Sequence, residues 1–468
     1  MGDNGNIDAI NAALDNGKGA YHLKTILIAG LGFFTDAYDL FIIGTIIVIL
    51  PLIGWTNMTT TASALVGSIS LIAAVIGSLI FGRLLDYLGR KAIYGTELIL
   101  LVIGALGSAF LTPFNNVNIL IMWRFILGIG IGGDYATSSV IMSEYSNITS
   151  RGKYIGSIFS MQSLGLIVSS VLALIFFKSG IPLDITWKIL LAIGAIPSLI
   201  VIYYRRKLPE PPRYTVAMGR SREAANNLKS YTGINVNVSD SNQRVDAPWY
   251  TLFTDRKFLI TLIGTAGAWF LMDWAFYGNS IMSSRIFATI ITAKGLPGLT
   301  TSTEYSTIIF TVAALPGYWL ATFTLDKIGR KPIQLLGFAM LALSYGILAL
   351  FPVLDSSAYV TEFLLLYGFS YFFMMFGPNV TTFVYPSEVF PVTTRGLGTG
   401  ISAAGGKTGA FIGTFADAFI IVSGLTHLMV ILAVFSIIAF VITLICLPEP
   451  KGRSIEDVSR EIEYTKND

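Results

Sequence analysis

Twelve apolar runs, each long enough to cross a bilayer, follow one another down this chain, and no other feature restricts its fold so tightly. A helix crosses the hydrocarbon core in about 20 residues. The runs fall near 24–53, 62–85, 92–112, 117–143, 154–178, 186–204, 258–290, 303–325, 333–352, 358–385, 396–423 and 426–447. Lipid offers backbone amides no partner, so each run must satisfy its own hydrogen bonds as a helix. Barrel strands would alternate in polarity, and these runs do not. The expected fold is all-α and membrane-spanning. Only 13% of the residues are charged and 53% are hydrophobic, against about 25% charged in soluble domains. A membrane is the simplest solvent for such a surface.

One segment breaks the series. Residues 205–257, containing RRKLPEPPRY, are mostly polar. They divide the chain into a six-helix half at 24–204, a linker at 205–257 and a second six-helix half at 258–447, with tails at 1–23 and 448–468. The first residues are polar and carry no apolar region with a cleavage site, so they read as a tail and not a signal peptide. Of the 31 Lys and Arg residues, 25 lie in the tails, the linker and the loops on their side. Lys178, Lys188, Arg285 and Lys294 lie opposite, and Arg124 and Lys407 lie inside spans. The positive-inside rule therefore puts both termini and the linker in the cytoplasm, and the expected location is the cell membrane.

Several function classes lose their chemistry at this stage. One cysteine, Cys446, excludes an intrachain disulfide. With only His22 and His427 besides, no His/Cys metal set is available, and no cofactor is expected. A net charge of +3 gives no reason to expect nucleic acid. No Ser/His constellation exists and the linker is too short for a catalytic domain, so an enzyme is not expected.

The halves repeat. GRLLDYLGRK at 82–91 is echoed by TLDKIGRK at 324–331, so Asp86 and Arg90 match Asp326 and Arg330. SEYSNITSRG at 143–152 is echoed by SEVFPVTTRG at 387–396, so Glu144 and Arg151 match Glu388 and Arg395. Two six-span halves related in this way describe a carrier that rocks about a midplane site. The repeated residues sit at cytoplasmic helix ends. They are expected to form ion-pair networks that latch the inward-closed state, and not to touch a transported solute. These loops, with LPEPPR after the sixth span and LPEPKGRS after the twelfth, resemble the major facilitator superfamily over the whole chain.

Charge inside the membrane is costly, roughly 2.5–3.5 kcal/mol per residue on insertion scales, so each instance is a functional candidate. The residues are Asp36, Asp39, Glu97, Arg124, Asp134, Asp273, Lys407 and Asp417; Glu304 and Glu362 fall at outer span ends. Any proton coupling must run through carboxylates, since neither histidine lies deep in a span. Arg124 and Asp134 are separated by roughly 15 Å of helix, so Arg124 is expected to pair with Glu97 or Asp36. Lys407 needs an anion, either a carboxylate such as Asp36 or Asp39, or the solute. Asp417 in GTFADAF has no aromatic or amide company in the sequence and reads as either functional or merely a polar face near the outer end. The glycines at 128, 130, 132 and 133 are expected to serve close helix packing.

Trp269, Asp273 and Tyr277 step by four in GAWFLMDWAFYGNS, so they share one helix stripe. Trp can only donate, Tyr can do either, and an ionised Asp can only accept. An anion without hydrogens would be repelled by Asp273. Dihydrogen phosphate can donate its P–OH to the carboxylate while its other oxygens accept from Trp, Tyr and amide groups. The alternative is a packing stripe with Asp273 bonded to a neighbouring helix. Gln162, Asn379 beside the helix-loosening Pro378, and Lys407 supply further donors.

GFFTDAYD, GGDYATSSVIMSE, WFLMDWAFYG and FGPNVTTFVYPSEVFP are similar to the phosphate:proton symporters within that superfamily. The resemblance implies a phosphate pocket of Tyr135, Gln162, Trp269, Asp273, Tyr277 and Asn379, with Lys407 beside it and beside the first-span carboxylates. It implies proton movement through Asp36, Glu97, Arg124 and Asp134, with Asp39 a further candidate. Ala136 stands where the family's GGDYPLSAT run has proline, a departure that bears on helix geometry after Tyr135. The expected function is proton-coupled import of inorganic phosphate by a monomer. The alternatives are a symporter of a small organic anion or sugar, and a receptor that senses without transporting.

Overall fold

The computed structural model describes residues 5–16, 20–238 and 244–466. Among these, eleven helices are long and apolar enough to cross a membrane: His22–Leu52, Thr60–Leu88, Arg90–Phe110, Val117–Tyr145, Arg151–Lys178, Leu183–Arg205, Arg256–Ile281, Gly295–Ile328, Arg330–Leu350, Val360–Val389 and Leu425–Cys446. They are spans 1–10 and 12. Span 11 is the helix Arg395–Ile420. It matches the others in length, yet its glycines, Lys407 and Asp417 depress its hydropathy. The reason is position: span 11 lies against spans 2 and 7 in the interior and presents little surface to lipid. By contrast Ile445, Leu365 and Val312, on the outer faces of spans 12, 10 and 8, are 71%, 70% and 70% exposed, as side chains solvated by acyl chains should be.

Spans 1–6 form one bundle and spans 7–12 the other. Span 2 packs along span 11 and span 5 along span 8, so the two seams between the halves are equivalent under the internal repeat. In span 4, glycines 128 and 132 sit against the backbone of span 2, and glycines 130 and 133 against span 3. A Cβ at Gly132 would lie 2.0 Å from the Ala74 carbonyl oxygen, so the packing role expected of this stretch is met.

Span 10 carries a break beside the site. Met375–Asn379 forms a π-turn in which Gly377 leaves helical geometry at φ −109° and ψ −112°. Pro378 lacks an amide hydrogen and disrupts the helical ladder, and Gly377 lies against Gly337 with no room for a side chain on either. Span 8 has a second π-turn at Phe310–Ala314, just before Pro316.

The polar segments build a cap at one end of the bundle. Linker helices Pro212–Ala217 and Ser221–Thr232 pack near the N-terminal helix Gly5–Asn16, whose Ile10 and Leu14 join Val216, Ala224 and Leu228 in a small core. The strand Arg244–Val245 pairs antiparallel with Thr465–Lys466 of the C-terminal tail.

Candidate functional site

A single hydrogen-bonded chain runs between the halves at mid-depth. Trp269 Nε1 donates to Asp273 Oδ1 at 3.2 Å, and Lys407 Nζ donates to Asp273 Oδ2 at 3.0 Å and to the Tyr277 hydroxyl at 2.9 Å. The Tyr277 and Tyr135 hydroxyls share a hydrogen bond of 2.8 Å. Gln162 Nε2 donates to Tyr135, while its Oε1 accepts from Tyr318 at 3.0 Å. Asn379 Nδ2 closes the series by donating to the Tyr318 hydroxyl at 2.7 Å. None of these eight residues is more than 1% exposed. The four-residue spacing thus delivers Trp269 to Asp273, whereas Tyr277 turns to Lys407 and Tyr135. The Lys407 ammonium also lies 3.8 Å and 4.2 Å from the ring centroids of Tyr135 and Tyr277, which adds cation–π attraction.

Tyr318, in AALPGYWLA of span 8, was not among the sequence candidates. It is the link between the two amides. A tyrosine two residues after a helix-loosening proline, in the middle of an apolar run, was the available signal.

Aromatic side chains close the site above and below. Phe33, Phe159 and Phe383 pack around Tyr135 on the side of the polar cap, with Phe159 and Phe383 stacked at 4.3 Å. Phe41 stacks on Tyr277 at 5.3 Å on the opposite side. Past Phe41 a narrow cleft lined by Thr45, Ser169, Ser280 and Ser284 leads outward; its volume, about 20 Å³, is on the scale of a single water.

The carboxylates of the first half form a second cluster, and here one expectation is corrected. Arg124 pairs with neither Glu97 nor Asp36. Its Nη2 donates to the Asp39 carbonyl at 2.7 Å, and its Nε and Nη1 have no hydrogen-bond partner. Arg205 takes Glu97 and Asp134 instead: Nη1 reaches Glu97 Oε1 and Asp134 Oδ1 at 2.8 Å each, and Nη2 reaches Asp134 Oδ2 at 2.8 Å. Arg205 had been counted into the linker as one more cytoplasmic charge. It is instead the buried last residue of span 6, 1% exposed. Gly32 of span 1 leaves the space it needs, since a Cβ there would fall 1.9 Å from Arg205 Nη2. Lys407 takes a carboxylate as its anion, Asp273, and hydrogen-bonds to neither first-span carboxylate. Asp36 and Asp39 are fully buried, and their carboxylate oxygens have no hydrogen-bond partner. Asp36 lies within electrostatic reach of Asp134, Arg205, Asp39 and Lys407, between the Arg205 cluster and the Lys407 chain.

Asp417 is also corrected: it does have aromatic company, since Trp274 Nε1 donates to its Oδ1 at 3.3 Å.

At the end of the bundle next to the polar cap, the repeated motifs make two matching knots. Glu144 accepts from Arg90 at 2.7 Å within its own half and from Arg395 at 2.9 Å across the seam. Glu388 accepts from Arg330 at 2.6 Å and from Arg151 at 2.8 Å across the other seam. Asp86 accepts from the amides of Gly396 and Leu397 at 2.9 and 2.8 Å, and Asp326 from those of Gly152 and Lys153 at 3.0 and 2.8 Å. The LPEP glutamates complete the pattern. Glu210 accepts from the Arg90 amide at 2.6 Å, and Glu449 from the Lys331 amide at 2.8 Å; each carboxylate caps the positive end of a span.

Known proteins resemble this chain in sequence and in fold. The sugar (and other) transporter family matches residues 25–462. Inorganic phosphate transporter 1-11 of Oryza sativa subsp. japonica is 37% identical, the match covering 98% of this chain and 91% of that protein. Low affinity inorganic phosphate transporter 5 of Petunia hybrida is 36% identical over 98% of this chain and 95% of its own length. Among solved structures, the proton:xylose symporter XylE bound to 6-bromo-6-deoxy-D-glucose superposes with a TM-score of 0.79 over 95% of this chain and 99% of that one. At 20% identity that likeness is one of fold.

Proposed function

The chain belongs to the sugar (and other) transporter family, as a member of its inorganic phosphate transporters with the major facilitator fold, and from that premise we propose that it imports inorganic phosphate across the cell membrane, driven by protons, through alternating access. The observation that carries the reading is a carboxylate, Asp273, set among donors in a site with one cation. Dihydrogen phosphate offers hydrogens to Asp273 and lone pairs to Lys407, Trp269, Tyr135, Tyr277, Gln162 and Asn379. Sulfate has no hydrogen to offer, so the same carboxylate rejects it. The neutral form of the site is held by the Lys407–Asp273 pair; an arriving phosphate competes with Asp273 for the ammonium and supplies the donor that Asp273 then lacks.

Proton movement is assigned to Asp36, with Asp39, Glu97, Arg124, Asp134 and Arg205 around it. A buried carboxylate without a donor favours its neutral form. A rocking step that brings Arg205 or Lys407 to Asp36 favours the charged form. Trading one environment for the other loads and unloads one proton per cycle. The two charge knots are assigned as the latch that closes the cytoplasmic side, with both termini cytoplasmic and the monomer as the working unit.

Uptake of labelled phosphate into proteoliposomes, with and without an inward proton gradient, tests this. Phosphate should accumulate only with the gradient and be displaced poorly by sulfate, glucose or organic acids. Equal uptake without the gradient removes the coupling, and displacement by glucose removes the substrate.

A further inference from the structure

Asp417 is the membrane-buried carboxylate that neither the phosphate chain nor the first-half cluster uses. It lies on span 11, fully buried. Its Oδ1 has the one long hydrogen bond from Trp274, and its Oδ2 has no hydrogen-bond partner. The room for Oδ2 comes from Gly278 of span 7, where a Cβ would lie 2.0 Å away. Gly278 directly follows Tyr277 on span 7, while on span 11 Asp417 lies ten residues, roughly 15 Å, beyond Lys407.

The groups facing it are almost all neutral. Span 7 contributes Trp274, span 9 Tyr345 and span 10 Tyr367, whose hydroxyl has no partner. Asn279 donates to Tyr345 at 3.1 Å and leaves its own Oδ1 unpaired. Thr414, one turn before Asp417, has an unpaired hydroxyl. Of the cations on this side, Arg285 reaches span 11: it lies in the short helix Ser283–Phe287 that follows span 7, and its Nη1 donates at 3.1 Å to the carbonyl of Ala418. That places a guanidinium over the residue after Asp417, while its hydrogen bond goes to backbone. An amide or hydroxyl would accept the Trp274 hydrogen as well as a carboxylate does, at much lower desolvation cost. The choice of a carboxyl points to an exchangeable proton.

We propose that Asp417 is a second proton-binding site, in the C-terminal half, loaded from the extracellular side; this rests on the proton-coupled reading above. In the state described here the carboxyl is neutral, with a proton taken from external water on one oxygen. The outward cleft lined by Ser280 and Ser284 begins two residues beyond Gly278 on span 7, and its volume is on the scale of a single water. When the halves rock, Arg285 exchanges the Ala418 carbonyl for the carboxylate. The O–H bond then breaks, the proton passes to water, and the charge is held by the guanidinium.

The test compares wild type, Asp417→Asn and Trp274→Phe in proteoliposomes across external pH, with infrared difference spectra of the same samples. Wild type must accumulate phosphate under the proton gradient; if it does not, the coupling reading itself fails, and the infrared arm still judges Asp417. Asp417→Asn keeps an acceptor for Trp274. It is expected to bind phosphate within about twofold of wild type, to lose one ionisation from the uptake–pH curve, and to lose one protonated-carboxyl carbonyl band. Trp274→Phe removes the donor that favours the ionised form, so the curve should move to higher pH by at least a threefold change in proton concentration. If Asp417→Asn fails to fold or to transport, the Trp274→Phe curve decides. Curves superimposable on wild type for the variants that transport, or an unchanged carboxyl band in Asp417→Asn, overturn the proposal.

Discussion

Lys407 Nζ and Asp273 Oδ2 lie 3.0 Å apart, on spans 11 and 7, both fully buried. Two opposite charges at this depth neutralise one another only while neither leaves. Removing one partner of a buried pair costs about 3–5 kcal/mol, because the other stays uncompensated.

Asp273→Asn therefore has two expected effects. Stability falls by about 3–5 kcal/mol, and phosphate uptake is lost because the acceptor for the P–OH hydrogens is gone. Sulfate should compete better than it does in wild type, because the repelling acceptor is gone. Adding Lys407→Gln should recover the thermal midpoint without recovering uptake. Uptake near wild type in Asp273→Asn, measured on purified protein in liposomes, would contradict the site chemistry.

Tyr318→Phe isolates a hydroxyl that accepts from Asn379 and donates to Gln162. Its loss frees both amides to reorient. A neutral hydrogen bond contributes about 0.5–1.5 kcal/mol net, so KM for phosphate should rise roughly 2- to 13-fold with the maximal rate changed less. An unchanged KM would show that the two amides hold their geometry without Tyr318.

How much of this was legible beforehand depended on the kind of residue. Helices separated by polar loops declare themselves through hydropathy, so the two-half fold could be read from composition and repeats. Span 11 could still be read as an apolar run at 396–423, although its glycines and Lys407 lower its hydropathy. Asp273 and Trp269 could be paired because helical spacing is local. Partnerships across spans could not, because the same rule that flags a buried Arg124 does not say which of several carboxylates faces it. Arg205 was hidden for a different reason: at the end of a span, in RRK, an arginine reads as a cytoplasmic anchor, and its packing against Gly32 and its pairing with Glu97 and Asp134 show that it turns inward. Tyr318 carried no charge to draw attention in an apolar run.

The cross-seam knots should set the balance between states. Arg151→Gln with Arg395→Gln removes the cross-seam ion pairs of the two knots while leaving Arg90–Glu144 and Arg330–Glu388 within each half. The inward-open population should then grow. Ser160, buried at the seam between spans 5 and 8 with its hydroxyl 2.7 Å from that of Thr322, is a reporter of opening. In a Cys446→Ser background, S160C should react with a maleimide from the cytoplasmic side at least about tenfold faster when the knots are cut, one factor of ten being about 1.4 kcal/mol. Equal rates would mean that the knots do not hold the closed state.

The same Arg395 also holds the C-terminal tail, which brings pH into the latch. Glu461 Oε1 accepts from Arg395 Nη2 at 2.5 Å, from the Val392 amide at 2.9 Å and from Ser459 Oγ at 3.0 Å. Burial pushes the Glu461 carboxyl up to about 7, against the pull of Arg395 and with a further push from Glu456. Glu456 itself is held low by Arg213 and so stays ionised across this range. A free tail would titrate near the ordinary glutamate value of 4.5. The docked tail therefore binds more protons than the free tail between about 4.5 and about 7. Docking is strongest below that window and weakens as pH rises through it, by at most about tenfold per pH unit for one proton. Hydrogen exchange across 455–464 should show more protection at about pH 6 than at about pH 8. Glu461→Gln should remove that difference, since an amide keeps the hydrogen-bond acceptor and cannot titrate. Protection that changes with pH equally in Glu461→Gln and wild type would assign the effect to another group.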